Sequence, residues 1–315
     1  MITRRIPRTD FDVFPLNLGG NPFGWTAGEG ATFEVLDSFV EAGGNFIDTA
    51  DVYSAWVEGH AGGESEELIG RWLKERDAYD TVVVATKGGS LEPHNGLSHD
   101  AVLSAVDASR RRLGIDTIDL YYYHHDDEET SIADQVATAQ ELVDSRRVRH
   151  IALSNHPPER AREFFQAAQG TPAMPVALQP QYSLLHRGDV ENGYGALAEE
   201  FDAALLPYFS LASGMLTGKY RRRADIEGAA REDFLSTYDN DEAFAVVDAL
   251  VRIAEARDTQ PTTVALAWLL AKGVTAPIAS VSRTEQLPAL LTAPSLELTP
   301  AEVAELDAVS EPFTG

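Results

Sequence analysis

Eight short β-branched or apolar runs alternate along the chain with longer amphipathic stretches, and this alternation restricts the fold more than any other feature. Repeated β-α units build a parallel sheet, because each strand needs a crossover to bring the next one alongside in the same direction. The runs predict strands over 16–19, 46–49, 81–86, 117–122, 150–154, 176–179, 204–208 and 274–278. Helix-like segments begin near Thr32, Ser65, Ser98, Ser131, Pro158, Asp189, Thr262 and Thr284, several opening on a residue suited to an N-cap. Eight strands with eight helices point to closure into a (β/α)8 TIM barrel. The rival is an open doubly wound sheet, but no G-x-G-x-x-G follows the first strand.

Four segments exceed the bare repeat. Residues 1–14 fit an N-terminal β-hairpin plugging the barrel bottom. Residues 212–240 form a long loop after strand 7, of the kind that often carries function. Two additional helices are expected, at 241–256 and at 299–309. With no linker or low-complexity tract in view, residues 1–315 read as a single domain.

Composition then excludes several classes of function. The chain contains no run of 18 apolar residues, and MITRRIPRTDFD has no apolar segment behind its basic residues. Neither a membrane span nor secretion is expected, and the cytoplasm is the default location. Disulfides, thiolate zinc sites and cysteine nucleophiles are ruled out because there is no cysteine. Lys and Arg number 25 against 50 Asp and Glu, a formal charge of −25, which repels nucleic acid and anionic lipid. A small anionic cofactor therefore needs local cations.

In a barrel, polar residues at the C-terminal ends of strands face the active site. Here these are Asp48, Tyr53, Lys87, His124, His125, Asp126, Ser154, Asn155, Gln179, Tyr208, Ser282 and Arg283. Each has a plain alternative: Asp48 as a turn former, Tyr53 as a packing aromatic, either histidine as a cap. Lys87 is harder to dismiss, since an ammonium directed into the barrel mouth needs a carboxylate. Metal binding by His124, His125, Asp126 and Asp48 is a rival, opposed by the cation of Lys87. Schiff-base chemistry on Lys87 is another.

In order, DTADVYS, ATKGG, DLYYYHHDD, IALSNHPP, LQPQYSLLHR and LLPYFSLASGMLTGKY resemble the aldo-keto reductase superfamily over about residues 16–290. DTADVYSAWVEGHAGGESEELIGRWL resembles its bacterial branch related to potassium-channel β-subunits. The resemblance implies NAD(P)H-dependent reduction of an aldehyde or ketone to an alcohol, with no metal. It implies Tyr53 as general acid, Lys87 and Asp48 as the pair that tunes it, and His124 as the residue that orients the carbonyl. On this view the Lys87 ammonium brings the Tyr53 phenol below its ordinary pKa of about 10.

The same resemblance assigns Ser154, Asn155 and Gln179 to the nicotinamide carboxamide and Tyr208 to stacking on its ring. It assigns Leu211, Ser213, Gly214, Leu216 and Lys219 to the pyrophosphate, and Ser282, Arg283 and Gln286 to the adenosine end. Arg283 beside a helix N-terminus suits a 2′-phosphate, so NADPH is expected over NADH. The chain departs from the family pattern at Phe209 and Ser210, where Ser-Pro is usual, at Ser280 for glycine, and at Leu290 for asparagine. Trp25, Trp56 and His125 are expected near the substrate, a small-molecule carbonyl. A nucleotide-binding regulatory subunit with little turnover is the alternative that the channel-subunit relatives imply.

Overall fold

The alternation is realised as a closed ring. The computed structural model describes residues 2–228 and 232–315, so part of the expected 212–240 loop, residues 229–231, lies outside them. A hairpin of β1 (Arg4–Arg5) and β2 (Asp12–Val13) precedes eight parallel strands. These are β3 (Asn17–Gly19), β4 (Phe46–Asp48), β5 (Val83–Gly88), β6 (Ile118–Tyr123), β7 (Val148–Ser154), β8 (Ala177–Gln179), β9 (Ala204–Leu205) and β10 (Ile278–Ala279). Pairing runs in chain order from β3 to β9, and β10 pairs with β3. The ring closes where the Thr275 and Ile278 N–H groups donate to the carbonyls of Leu205 and Pro207, each at 2.9 Å. This seam is thin because Pro207 and Pro277 have no N–H to give. The last two strands are accordingly shorter than the apolar runs predict.

Crossovers are made by α1 (Glu29–Glu41), α2 (Glu64–Arg76), α3 (His99–Leu113), α4 (Ile132–Asp144) and α5 (Pro158–Ala167). A π-helical turn at Val190–Tyr194 then leads into α6 (Gly195–Phe201), and β9 is followed by α7 (Glu232–Leu235), α8 (Asp241–Ala256) and α9 (Pro261–Ala271). After β10 come α10 (Leu287–Leu291) and α11 (Pro300–Val309). Caps act where the sequence marks them: Ser131 accepts from the Asp134 N–H, and Thr299 forms a reciprocal box with Glu302. Among the described residues no helix is long and apolar enough to cross a membrane.

The barrel interior explains where the site falls. Ile6, Phe11 and Val13 of the hairpin pack against an inner cluster that includes Phe46, Ala85, Leu120, Tyr122, Ala152, Ala177, Ala204 and Leu206. Strand side chains alternate faces, so a step of two residues from an inner one reaches the next inward position. From Phe46 that step gives Asp48, from Ala85 Lys87, and from Tyr122 His124. From Ala152 it gives Ser154, from Ala177 Gln179, and from Leu206 Tyr208. The apolar plug fills the bottom, and the polar residues collect at the C-terminal mouth.

Candidate active site

Lys87 and Asp48 are both about 1% exposed, and the Lys87 Nζ donates to Asp48 Oδ2 at 2.6 Å. Its other two bonds go to the Thr49 carbonyl and to Tyr53 Oη, each at 2.9 Å. All three ammonium donors therefore have acceptors, which is what a buried lysine requires. Asp48 Oδ1 accepts from Gln179 Nε2 at 2.9 Å, while the Tyr53 hydroxyl stands 3.4 Å from Oδ2. The lysine also lies 4.7 Å from the Tyr53 ring centroid.

Burial opposes the charge on Lys87, but Asp48 and Tyr53 outweigh it and hold the ammonium above its ordinary pKa. Tyr53 departs from expectation. Removal from water pushes its phenol up to about 12, and the neighbouring lysine offsets only part of that rise. The phenol is thus held protonated at neutral pH. His124 is driven well below the usual imidazole value by burial, then by Lys87 and His125, so its ring is neutral. Its Nδ1 is enclosed without a hydrogen-bond partner among the described residues.

Tyr53 does not sit on a strand. It lies in the turn after β4, pinned by the Asp51 N–H to the Lys87 carbonyl at 2.9 Å. Its ring packs edge-on against His124 at 6.4 Å and Trp56 at 6.2 Å, and Trp56 meets Trp25 at 5.5 Å. His125 stacks on His124 at 4.7 Å and shares a 2.8 Å hydrogen bond with Ser90. One aromatic wall therefore joins the three expected substrate-side residues to Tyr53 and His124. Asp126 turns away instead, held by the Arg160 guanidinium at 2.7 and 3.0 Å.

Ser154, Asn155, Gln179 and Tyr208 are brought together but hold one another. Ser154 Oγ donates to the Gln179 carbonyl at 3.0 Å. Asn155 Nδ2 donates to the His124 carbonyl at 2.9 Å and to Ser154 Oγ at 3.0 Å, and Tyr208 Oη donates to Asn155 Oδ1 at 2.8 Å. Phe209, left-handed at φ 51°, braces Tyr208 edge-on at 5.2 Å.

Farther along, Ala212, Ser213 and Gly214 are consecutively left-handed, with φ of 46°, 56° and 99°. The φ of Gly214 is one that a side chain rarely permits, and the Lys219 ammonium lies close beside it. Leu216 is buried in the core and offers only its backbone, and Leu211 is half-buried. At the barrel seam Ser280 Oγ donates to Asn21 Oδ1 at 2.6 Å, against the bare Cα of Gly19.

The adenosine end differs from expectation. The eighth helix opens as a one-turn 3-10 segment, Thr284–Gln286, and Gln286 Oε1 accepts the N–H groups of Ser282 and Arg283 at 3.0 and 3.2 Å. Those amides are spent on the cap, so the helix terminus contributes less to anion binding than its position suggests. Arg283 itself is exposed, and among the described residues no carboxylate lies within ion-pair distance of it or of Lys219. Leu290 is buried and places no amide there.

The mouth of the eight-stranded barrel thus brings together a phenol, an ammonium, a carboxylate and a neutral imidazole. The profile of the Aldo/keto reductase family matches residues 15–311, and the chain belongs to that family. It is 31% identical over 326 residues to Aryl-alcohol dehydrogenase GME11368 of Pestalotiopsis microspora, covering 96% of this chain and 80% of the relative. A bacterial relative, Protein tas of Escherichia coli, is 27% identical over 340 residues and 98% of each chain. The NADP(+) aldo-keto reductase yakc of Schizosaccharomyces pombe is 31% identical over 291 residues, 88% of this chain and 82% of its own. The family comprises nicotinamide-dependent oxidoreductases of carbonyls and alcohols.

Proposed function

We propose that this chain is a cytoplasmic, NADPH-dependent reductase of small aldehydes or ketones, with Tyr53 as proton donor. The observation that carries this reading is the Tyr53 hydroxyl, 2.9 Å from a fully paired, buried ammonium and flanked by a neutral histidine. Bound NADPH supplies the hydride. Tyr53 Oη then gives its proton to the carbonyl oxygen, and His124 Nε2–H holds that oxygen while negative charge develops. A phenol with a pKa of about 12 still outranks an alcohol as an acid, so it protonates the forming alkoxide readily. Lys87 supports the phenolate that remains, and Asp48 and the Thr49 carbonyl fix Lys87.

The residues present suit the cofactor. Gln179 Oε1 and a lone pair of Asn155 Oδ1 remain to accept from the carboxamide amine, while both amide hydrogens of Asn155 and one of Gln179 are already engaged. Tyr208 supplies the face for the nicotinamide ring. Leu211, Ser213, Gly214 and Leu216 form a wound loop in front of Lys219 that suits a diphosphate. Ser282, Arg283 and Gln286 stand at the adenosine end. NADPH oxidation against a panel of aldehydes and ketones tests the whole reading. A chain that bound NADPH and reduced none of them would be a nucleotide-binding subunit instead.

Cofactor preference rests on Arg283. Arg283→Ala should raise the KM for NADPH roughly tenfold, the scale of one charge-assisted bond at an exposed site, and leave NADH within about twofold. Equal impairment with both cofactors would remove the 2′-phosphate role. The substrate side is set by the wall of Trp25 and Trp56, with His125 at its end. Such a surface favours a flat aromatic carbonyl, in keeping with the name of the aryl-alcohol dehydrogenase relative. Trp56→Ala should raise KM for benzaldehyde by roughly 3- to 10-fold while barely moving that for a short aliphatic aldehyde. A uniform change across both would show that Trp56 shapes the loop rather than selecting the substrate.

A further inference from the structure

His156 follows Asn155 on the loop after β7, and none of the steps above uses it. It is 1% exposed, packs edge-on against Phe164, and accepts the Tyr194 hydroxyl at its carbonyl. Its Nδ1 is 2.9 Å from the Ser154 carbonyl oxygen. A carbonyl can only accept, so Nδ1 carries the proton. Burial holds the ring below the ordinary imidazole pKa, and in the neutral form Nε2 bears a lone pair. Among the described residues that nitrogen is enclosed without a hydrogen-bond partner, 3.7 Å from an Asp126 oxygen already bound by Arg160. The side chain's one hydrogen bond among the described residues therefore reaches backward across Asn155.

The bond closes a three-residue turn whose middle residue, Asn155, has φ 51°. Residues other than glycine seldom take this left-handed conformation, and asparagine is among those that tolerate it best. From it the Asn155 amide reaches the His124 carbonyl, Ser154 Oγ and the Tyr208 hydroxyl together. An extended Asn155 would swing out of all three contacts. The turn thus ties together the side chains of Ser154, Asn155 and Tyr208 and the His124 backbone from a point that touches no substrate.

We propose that His156 is a positioning residue: its Nδ1–H bond to the Ser154 carbonyl locks Asn155 in the left-handed turn that aims its amide at the nicotinamide carboxamide. This rests on the reading that Asn155 contacts the cofactor. Substitution separates the donor from the packing. Phenylalanine keeps the packing on Phe164 but has no donor, whereas the amide nitrogen of asparagine can stand where Nδ1 does.

The test uses three measurements on the full chain: ¹⁵N-histidine spectra of the wild type, NADP(+) titration by fluorescence, and steady-state kinetics. The Nδ1–H tautomer is expected for His156. His156→Phe should weaken NADP(+) binding and raise the KM for NADPH roughly tenfold, with kcat within about threefold. His156→Asn should bind within about twofold of the wild type. An Nε2–H tautomer, a phenylalanine variant that binds normally, or an asparagine variant as weak as the phenylalanine one would each overturn the proposal. Should the phenylalanine variant fail to fold, the wild-type spectrum and the asparagine titration still decide. A wild type that binds no NADP(+) would instead sink the reading of the cofactor site, whatever the spectrum shows of the turn.

Discussion

Tyr53→Phe should lower the rate of carbonyl reduction by roughly 10² to 10⁴, the range over which a positioned general acid contributes, while NADPH binds as before. The substitution removes one oxygen and little else. Lys87 keeps its bonds to Asp48 Oδ2 and the Thr49 carbonyl, so the buried ion pair survives. The ring keeps its edge contacts with Trp56 and His124, so the aromatic wall survives as well. What disappears is the hydroxyl bound to that ammonium. Single-turnover hydride transfer, followed by loss of NADPH absorbance, measures the step directly. Parental rates in the phenylalanine variant would sink the assignment.

The same hydroxyl fixes the pH dependence. With the phenol near 12, the acid form is fully populated across neutral pH, so reduction should stay flat until strongly alkaline conditions. Alcohol oxidation needs the phenolate as base. Its rate should climb about tenfold per pH unit below that pKa, because each unit raises the phenolate fraction tenfold.

Much of this site is legible in the sequence because a strand's period of two carries an apolar interior into a polar mouth. Asp48, Lys87, Ser154 and Gln179 each stand two residues beyond a buried inner position, and the runs FID, VVATKG and IALS show that pattern before any coordinates do. Ser131 and Thr299 likewise mark helix starts by chemistry that acts within three residues. Tyr53 is different. It lies on a turn, where no periodicity fixes direction, and only the family resemblance singles it out. Its acidity is not legible at all: the lysine is visible as a neighbour, but the cost of burial that overrides it belongs to the assembled site. The same limit applies to Gln286, whose cap takes the amides expected for phosphate, and to the Thr49 carbonyl that completes the shell of Lys87. Pro207 and Pro277 could have signalled the short seam, since a proline cannot donate to a ladder.

Lys87→Met should impair the enzyme in two separable ways. The first is stability. Lys87 and Asp48 are both about 1% exposed, and removal of one partner from a buried pair costs about 3–5 kcal/mol, because the remaining charge has lost its counter-ion. Gln179 Nε2 still holds Asp48 Oδ1, which softens the loss without replacing the charge. The second is chemistry. Burial already pushes the Tyr53 phenol upward, so without the ammonium, and with the Asp48 carboxylate left 3.4 Å away, the phenol moves higher still rather than back toward 10. Reduction should fall by roughly 10² or more, and oxidation should fall further because it depends on the phenolate. Pairing the change with Asp48→Asn separates the two effects. The double variant has no buried charge at this position and should regain most of the stability in a denaturant titration, yet remain slow in both directions. A Lys87→Met enzyme whose pH–rate profile kept its parental shape and height would reject the coupling between the ammonium and the phenol, whatever its stability.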